Sequence, residues 1–183
     1  PTHSFNNKQV TSTYDRVMRA LDPEGESGGG SQLGRINHLV TWWNINVIDG
    51  DLQHSLFGYG IGAAHASRIS VGELAARFHY PVNTTSTSIL LWETGIFGHL
   101  AFLLILLSAA WTSERISNNE AIPEIHRIFL RVGAVSLMLL ALTLPYKNFH
   151  LYSNPIQFLM MFMLGQVAYW SRFVRNNPES TKL

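Results

Sequence analysis

Hydrophobic and polar positions divide the chain near residue 87. Before this point, short amphipathic stretches alternate with glycine-rich and polar ones. After it, no Asp, Glu, Lys or Arg occurs between Glu93 and Glu114, or between Lys147 and Arg172. Apolar stretches near 20 residues are typical of membrane spans. The pattern predicts an all-α polytopic membrane protein fragment, with about three transmembrane helices preceded by a helical extracytoplasmic loop domain.

The predicted segments follow the pattern along the chain. They are a loop region with short amphipathic helices at 1–87, a transmembrane helix at 88–111, a loop at 112–127, a transmembrane helix at 128–145, a short loop at 146–154, a transmembrane helix at 155–170, and a tail at 171–183. Each span is long enough for a bilayer core of about 30 Å, the second only just.

The basic residues predict the orientation of these spans. Arg115 and Arg127 lie between the first two spans, and the tail carries Arg172 and Arg175, whereas the loop at 146–154 has only Lys147. The positive-inside rule then predicts a cytoplasmic loop at 112–127 and a cytoplasmic tail, with 1–87 and 146–154 on the outer side. Since a long polar segment precedes the first span, we expect the C-terminal part of a longer protein, with an N-terminal transmembrane part missing.

Two amphipathic helices are predicted in the outer region, at 12–21 and 32–47, separated by a flexible polar and glycine-rich loop at 22–31. A further short helix is predicted at 71–78. The helix at 32–47 has two faces. We expect its apolar stripe to pack within the loop domain; the stripe consists of Leu33, Ile36, Val40, Trp43 and Val47. The opposite face carries Arg35, His38, Trp42 and Asn46.

Composition excludes several classes of function. Hydrophobic residues make up 46% of the chain and charged residues 14%, against a globular norm of roughly 25% charged, which disfavours a simple soluble enzyme. With 13 basic and 12 acidic residues, there is no electrostatic case for binding nucleic acid. The absence of cysteine excludes disulfides and thiol chemistry. The scattered histidines show no paired metal-ligand spacing, so no metal and no cofactor are predicted.

The order of motifs resembles a known family. Gly34 and Arg35 are followed by Trp42, then by residues 57–62 (FGYGIG), and then by residues 93–98 (ETGIFG) inside the first span. This order is similar to the C-terminal half of the O-antigen polymerase and O-antigen ligase superfamily. The resemblance implies a multi-pass enzyme of the bacterial inner membrane, with residues 1–87 facing the periplasm. Its implied partners are the lipid bilayer and a polyprenyl-diphosphate-linked glycan.

One position departs from the ligase pattern. Ligases of this family carry a histidine followed by a small polar residue, and the corresponding position here is Thr84. The nearest histidine is His79. The substitution favours the polymerase or exopolysaccharide branch over ligation to lipid A-core.

The chemistry of such a transfer assigns roles to particular side chains. An acceptor hydroxyl displaces a diphosphate, so the protein mainly positions sugars and stabilises developing negative charge. Arginine binds phosphate oxygens in bidentate fashion and stays protonated. Arg35 is therefore the predicted catalytic arginine, and the resemblance implies the same residue. Glu93 is the second predicted catalytic residue, because an ionisable group within a span indicates function or a buried partner.

The predicted substrate-binding residues are polar or aromatic side chains of the outer region: His38, Trp42, His65, Arg68, Arg77 and Thr84. Each has a plainer explanation in a surface or packing role. The glycines of residues 57–62 lack the Lys-Ser/Thr of a phosphate-binding loop and predict close backbone approach to a glycan or to a neighbouring helix. A transporter or flippase fragment is an alternative, although Glu93 is the one acidic residue inside the predicted spans.

Overall fold

The computed structural model describes residues 35–48, 50, 52–65, 71–78 and 85–177. The regular elements of this part are helices. They are α1 (Arg35–Trp43), continued by a π-helix (Asn44–Ile48), then α2 (Leu52–Phe57), α3 (Glu73–Arg77), α4 (Ser86–Ser117), α5 (Glu124–Thr143), α6 (Phe149–Tyr152) and α7 (Asn154–Asn176). The predicted helix at 12–21 and the predicted loop at 22–31 lie outside the described residues.

Two helices are long and apolar enough to cross a membrane: α4, which contains the predicted span 88–111, and α5, which overlaps the predicted span 128–145. Only 28% of the most apolar window of each helix is buried within the protein. A helix in the core of a soluble protein would be mostly buried, so the exposure of these apolar side chains favours contact with lipid.

The third predicted span, 155–170, falls within α7. This helix is long, but it is not one of the two that meet the criteria for a span in length and composition. Several of its large apolar side chains are nevertheless exposed, among them Phe158, Met161 and Phe162. A membrane crossing by α7 therefore stays a prediction.

Helices α4, α5 and α7 pack around one hydrophobic core. Leu106 of α4, Leu137 of α5 and Met160 of α7 are all buried in it. The core is tied together by a polar contact as well, because the Ser113 hydroxyl donates to the Leu130 carbonyl at 2.7 Å. Because α4 and α5 are joined by a short connection, they run antiparallel, and this brings the start of α4 to the end of α5.

The start of α4 is fixed by backbone hydrogen bonds to that end of α5. The Ser86 amide donates to the Lys147 carbonyl at 2.9 Å, and the Thr87 amide donates to the Leu144 carbonyl at 3.1 Å. The Thr85 hydroxyl caps the helix by accepting from the Ser88 amide at 3.1 Å. The first N–H groups of α4 are thus satisfied, as the start of a buried helix requires.

The prediction for the faces of the helix at 32–47 is wrong. The apolar residues Val40, Trp43 and Val47 are 47%, 53% and 37% exposed, whereas His38, Trp42 and Asn46, on the face expected to be outermost, are 1%, 3% and 1% exposed. The described hydrogen bonds give a reason for two of these residues. The Trp42 indole N–H donates to the Leu91 carbonyl, and the Asn46 amide donates to the Trp42 carbonyl and accepts from the Tyr59 hydroxyl, so both can be buried with these groups satisfied.

Candidate functional site

Helix α4 is broken at Gly95. This residue has φ of 67° and ψ of −168°, so its backbone is not helical, and it divides a short first segment of α4 from a long second one. A break of this kind removes the helical partners of the carbonyl groups that precede it. Those carbonyls need other donors. The segment that supplies the donors must pack against the break.

The outer region supplies these donors. The Tyr59 amide donates to the Trp92 carbonyl at 2.9 Å, and the Gly60 amide donates to the Glu93 carbonyl at 3.0 Å. The Trp42 indole N–H donates to the Leu91 carbonyl at 3.1 Å. The glycine motif at 57–62 and the motif at 93–98 therefore meet through their backbones, which is the close approach to a neighbouring helix that the glycines predict.

Glycine is required on both sides of this contact. A Cβ atom on Gly58 would lie 2.4 Å from the backbone carbon of Glu93, and one on Gly95 would lie 2.4 Å from the backbone carbon of Leu56. Both residues also have positive φ angles, of 72° and 67°. Any side chain here would overlap main-chain atoms and adopt a strained backbone, so the two motifs fit only as glycines.

A small hydrophobic core supports the same contact from the side of the outer region. Trp42, Ala63, Ala64, Leu74 and Trp92 are buried together, with Tyr59 and Phe78 packed against them. The Tyr59 ring lies 5.8 Å from that of Trp92, and the Phe78 ring lies 5.4 Å from it. Over the described part of residues 35–78, short helices thus pack against the start of α4.

Glu93 has a partner in this loop. The Ala64 amide donates to Glu93 Oε1 at 3.3 Å, and the side chain is half-buried. The carboxylate therefore helps to hold the loop against the break in α4. The Ala64 amide is thus a partner of the kind expected for an ionisable group within a span. The catalytic role of Glu93 stays a prediction.

His65 and Arg77 are two further candidates whose side chains the structure describes. His65 follows Ala64 directly, is half-buried, and has its ring 6.2 Å from the ring of Tyr152. Arg77 is exposed, and its guanidinium carbon lies 5.9 Å from the centre of the Phe78 ring. His65 is thus next in sequence to the residue that contacts Glu93, whereas Arg77 lies beside Phe78 of the small hydrophobic core.

His38 and Trp42 do not belong to an accessible site. Trp42 is 3% exposed and its indole N–H donates to the Leu91 carbonyl, so its ring is covered in this arrangement. His38 is 1% exposed. The face that carries both residues packs inward, and substrate contact by either of them stays a prediction.

The remaining candidates fall outside what the structure describes. Arg35 belongs to α1, but its side chain is not among the described ones. Arg68 and Thr84 lie in the gaps between the described ranges. Their predicted roles therefore stay predictions.

A buried histidine escaped the sequence analysis. His150 is fully buried and bridges two hydroxyls, with Nδ1 at 2.9 Å from Ser86 Oγ and Nε2 at 3.1 Å from Thr143 Oγ1. Burial lowers the pKa of His150 below its usual value, although the backbone carbonyls of Lys147 and Leu140 oppose this shift. Because both the serine and the imidazole are inaccessible, the pair acts as a link between α4, α5 and α6 rather than as a nucleophile and base.

The His, Asp and Glu side chains that the structure describes form no group of three placed to hold a metal ion. Comparison of the chain with family models, with curated proteins and with solved structures gives no match. The contact between residues 57–62 and the break in α4, and the resemblance in motif order, are the observations that bear on function.

Proposed function

We propose that this chain belongs to a membrane glycosyltransferase that polymerises or transfers polyprenyl-diphosphate-linked oligosaccharide units during assembly of a bacterial surface polysaccharide. The reaction would take place at the outer face of the inner membrane. The resemblance implies further transmembrane helices, and these would complete the site.

The observation that carries the proposal is the contact between the two glycine motifs. Residues 57–62 and 93–98 are the motifs on which the resemblance rests, and they meet at the break in α4 through the Tyr59 and Gly60 amides. The two motifs are far apart in the sequence, so the fold and not local sequence brings them together. A site built from an outer loop and the mouth of a span suits a substrate whose glycan is in water and whose lipid is in the bilayer.

The side chains around this contact supply the required chemistry. Arg77 is exposed beside the loop core, and Arg35 belongs to the helix that packs on it. Arginines at this position would neutralise the diphosphate as its bond to the anomeric carbon breaks. His65 is the described side chain best placed to accept the proton of an acceptor hydroxyl.

The break in α4 also bears on the transporter alternative. Discontinuous helices beside an ionisable residue are typical of secondary transporters. Here, however, the carbonyls of Leu91, Trp92 and Glu93 are already engaged by donors from the outer region. Each of these oxygens already uses one of its two lone pairs for a donor of the same chain, which leaves less capacity to coordinate a transported ion, so we favour the enzyme. Ligation to lipid A-core is the second enzymatic alternative.

The test is the chain length of surface glycan made by the full-length protein. We expect Arg35→Ala to lower activity by about 10²–10³, as removal of a transition-state contact commonly does, and Arg35→Lys to restore it only in part. Thr84→Ala removes only a hydroxyl and should matter much less, whereas Gln53→Ala, at an exposed residue outside the candidate site, is the control and should retain long chains. Normal chain lengths with Arg35→Ala, at normal protein abundance, would show that the arginine is not catalytic.

Glu93 provides a second test with a clear distinction between two roles. Glu93→Gln keeps an oxygen that can accept from the Ala64 amide but removes the charge, whereas Glu93→Ala removes both. If Glu93 only holds the loop, Glu93→Gln retains activity and Glu93→Ala loses folded protein. Loss of activity in a stable Glu93→Gln protein would instead assign a catalytic role to the carboxylate.

A further inference from the structure

A cavity of about 660 Å³ lies at the opposite end of the helices from the glycine contact. It opens between the C-terminal turns of α4 and α7. Its lining combines two arginines, an indole, and polar and apolar side chains. Among them are Trp111, Arg115, Asn119, Ser171, Val174 and Arg175. We call this cavity the arginine pocket. It takes no part in the function proposed above.

The two arginines of the pocket form no ion pair within the described part of the chain. Arg115 and Arg175 are exposed. Among the described residues that line the pocket, Glu120 is the one acid. Each arginine lies in the last turn of its helix, where the helix dipole favours a cation. That preference accounts for one arginine at each end, but not for a polar cavity between the two.

The position of the pocket relative to the bilayer indicates what it can bind. Helix α4 is one of the two helices able to span a membrane, and the pocket lies at its C-terminal end. Trp111 is 76% exposed and lines the side towards the apolar part of α4, as tryptophans at the level of lipid headgroups do. Val174 adds an apolar wall, whereas Asn119 and Ser171 supply hydrogen-bonding groups.

We propose that the arginine pocket binds the phosphate of an anionic phospholipid, with Arg115 and Arg175 on the phosphate and an acyl chain beside Trp111. Guanidinium groups recognise phosphate oxygens through paired hydrogen bonds, and basic pockets between transmembrane helices take lipid headgroups in this way. Under the predicted orientation the lipid belongs to the cytoplasmic leaflet. The inference depends on α4 spanning the membrane and not on the glycosyltransferase reaction.

The experiment measures lipid binding to the full-length protein in nanodiscs of phosphatidylcholine with increasing phosphatidylglycerol. Arg115→Gln/Arg175→Gln should weaken the apparent affinity for phosphatidylglycerol at least about tenfold, since each basic residue near an anionic surface contributes about a fivefold factor. Arg115→Lys/Arg175→Lys should retain most of the preference for phosphatidylglycerol. The matched control, Lys147→Gln, changes a basic residue at the other end of the bundle and should have no effect.

Two further arms separate the sources of the phosphate. Inorganic phosphate and soluble glycerol phosphate are added to the same protein, and we expect neither to compete with phosphatidylglycerol at concentrations near that of the lipid. Competition by inorganic phosphate of equal strength would overturn the assignment to a lipid. Equal affinity for the two phospholipids, or unchanged affinity in a folded Arg115→Gln/Arg175→Gln protein, would overturn the pocket itself.

Discussion

Gly58 and Gly95 each leave room for main-chain atoms of the facing segment. This close approach positions the side chains next to the contact. The Tyr59 and Gly60 amides can reach the carbonyls of the broken helix only because no side chain separates the two backbones. Glu93 then comes close to Ala64. A small number of atoms at one contact therefore determines where the Glu93 carboxylate meets the loop of Ala64.

Gly95→Ala tests this contact. The backbone conformation of Gly95, with φ of 67° and ψ of −168°, is one that only glycine adopts readily and costs alanine roughly 1–3 kcal/mol, and the Cβ atom would overlap the backbone of Leu56. We expect a large fall in the thermal midpoint of the purified protein in detergent. Gly165→Ala in α7 is the control, because a Cβ atom there meets nothing within 4 Å. Equal midpoints for the two variants would show that the break does not need glycine.

At the residue scale, the sequence identified Glu93 and the glycines but not the atoms they contact. An ionisable group in an apolar run and glycines at alternate positions are visible in the sequence. The Ala64 amide that meets Glu93 lies 29 residues away, and no local pattern encodes that distance. His150 was missed for a related reason, since its partners Ser86 and Thr143 come from different helices.

The helix α1 shows what periodicity can determine at the scale of an element. The spacing of apolar residues defined its two faces but did not determine which one packs inward. In water an apolar stripe turns inward, whereas beside a bilayer it can turn outward. The stripe of Val40, Trp43 and Val47 is exposed. Later in the chain, the exposed Phe57 of α2 has its ring 5.5 Å from that of Phe97 on α4, a candidate span.

We predict that this stripe lies in the membrane interface. The chain contains no cysteine, so a single spin label can be introduced by Trp43→Cys and, as a control, by Gln53→Cys. Both positions are exposed on the protein. In lipid vesicles we expect the label at position 43 to collide mainly with oxygen and the label at position 53 mainly with a water-soluble nickel reagent. Equal accessibility to the nickel reagent would place α1 in water.

His150 makes the junction of α4, α5 and α6 sensitive to pH. Burial lowers the pKa of the folded protein's imidazole, so the unfolded chain binds the proton more readily. The stabilising contribution is therefore fully present above the unfolded pKa of about 6.5 and is lost as the pH falls through the lower pKa of the folded state. We expect the thermal midpoint to fall more between pH 7.5 and pH 5.5 in the unaltered protein than in His150→Gln. Parallel decreases would contradict this assignment.

The whole molecule has two chemically different ends. The glycine contact, with His65, Arg77 and Glu93, lies at the end where α4 begins and α5 finishes. Arg115 and Arg175 share a pocket at the other end, and Arg131 lies near it because its guanidinium donates to Asn118 Oδ1 at 3.1 Å. The sequence predicted this division from the basic residues alone, because it depends on where charges fall along the chain. It could not predict that helix ends distant in sequence form a pocket.

The division predicts the orientation of the protein in its membrane. Basic residues near span ends are retained on the cytoplasmic side, so the end with Arg115 and Arg175 should face the cytoplasm and the glycine contact should face the periplasm. Ile61→Cys, at a residue that is 92% exposed, and Ala121→Cys, in the connection between α4 and α5, report the two sides. In intact cells an impermeant thiol reagent should label position 61, and should label position 121 only after the membrane is opened. The reverse pattern would place the site in the cytoplasm. The proposed transfer at the outer face of the membrane would then be wrong.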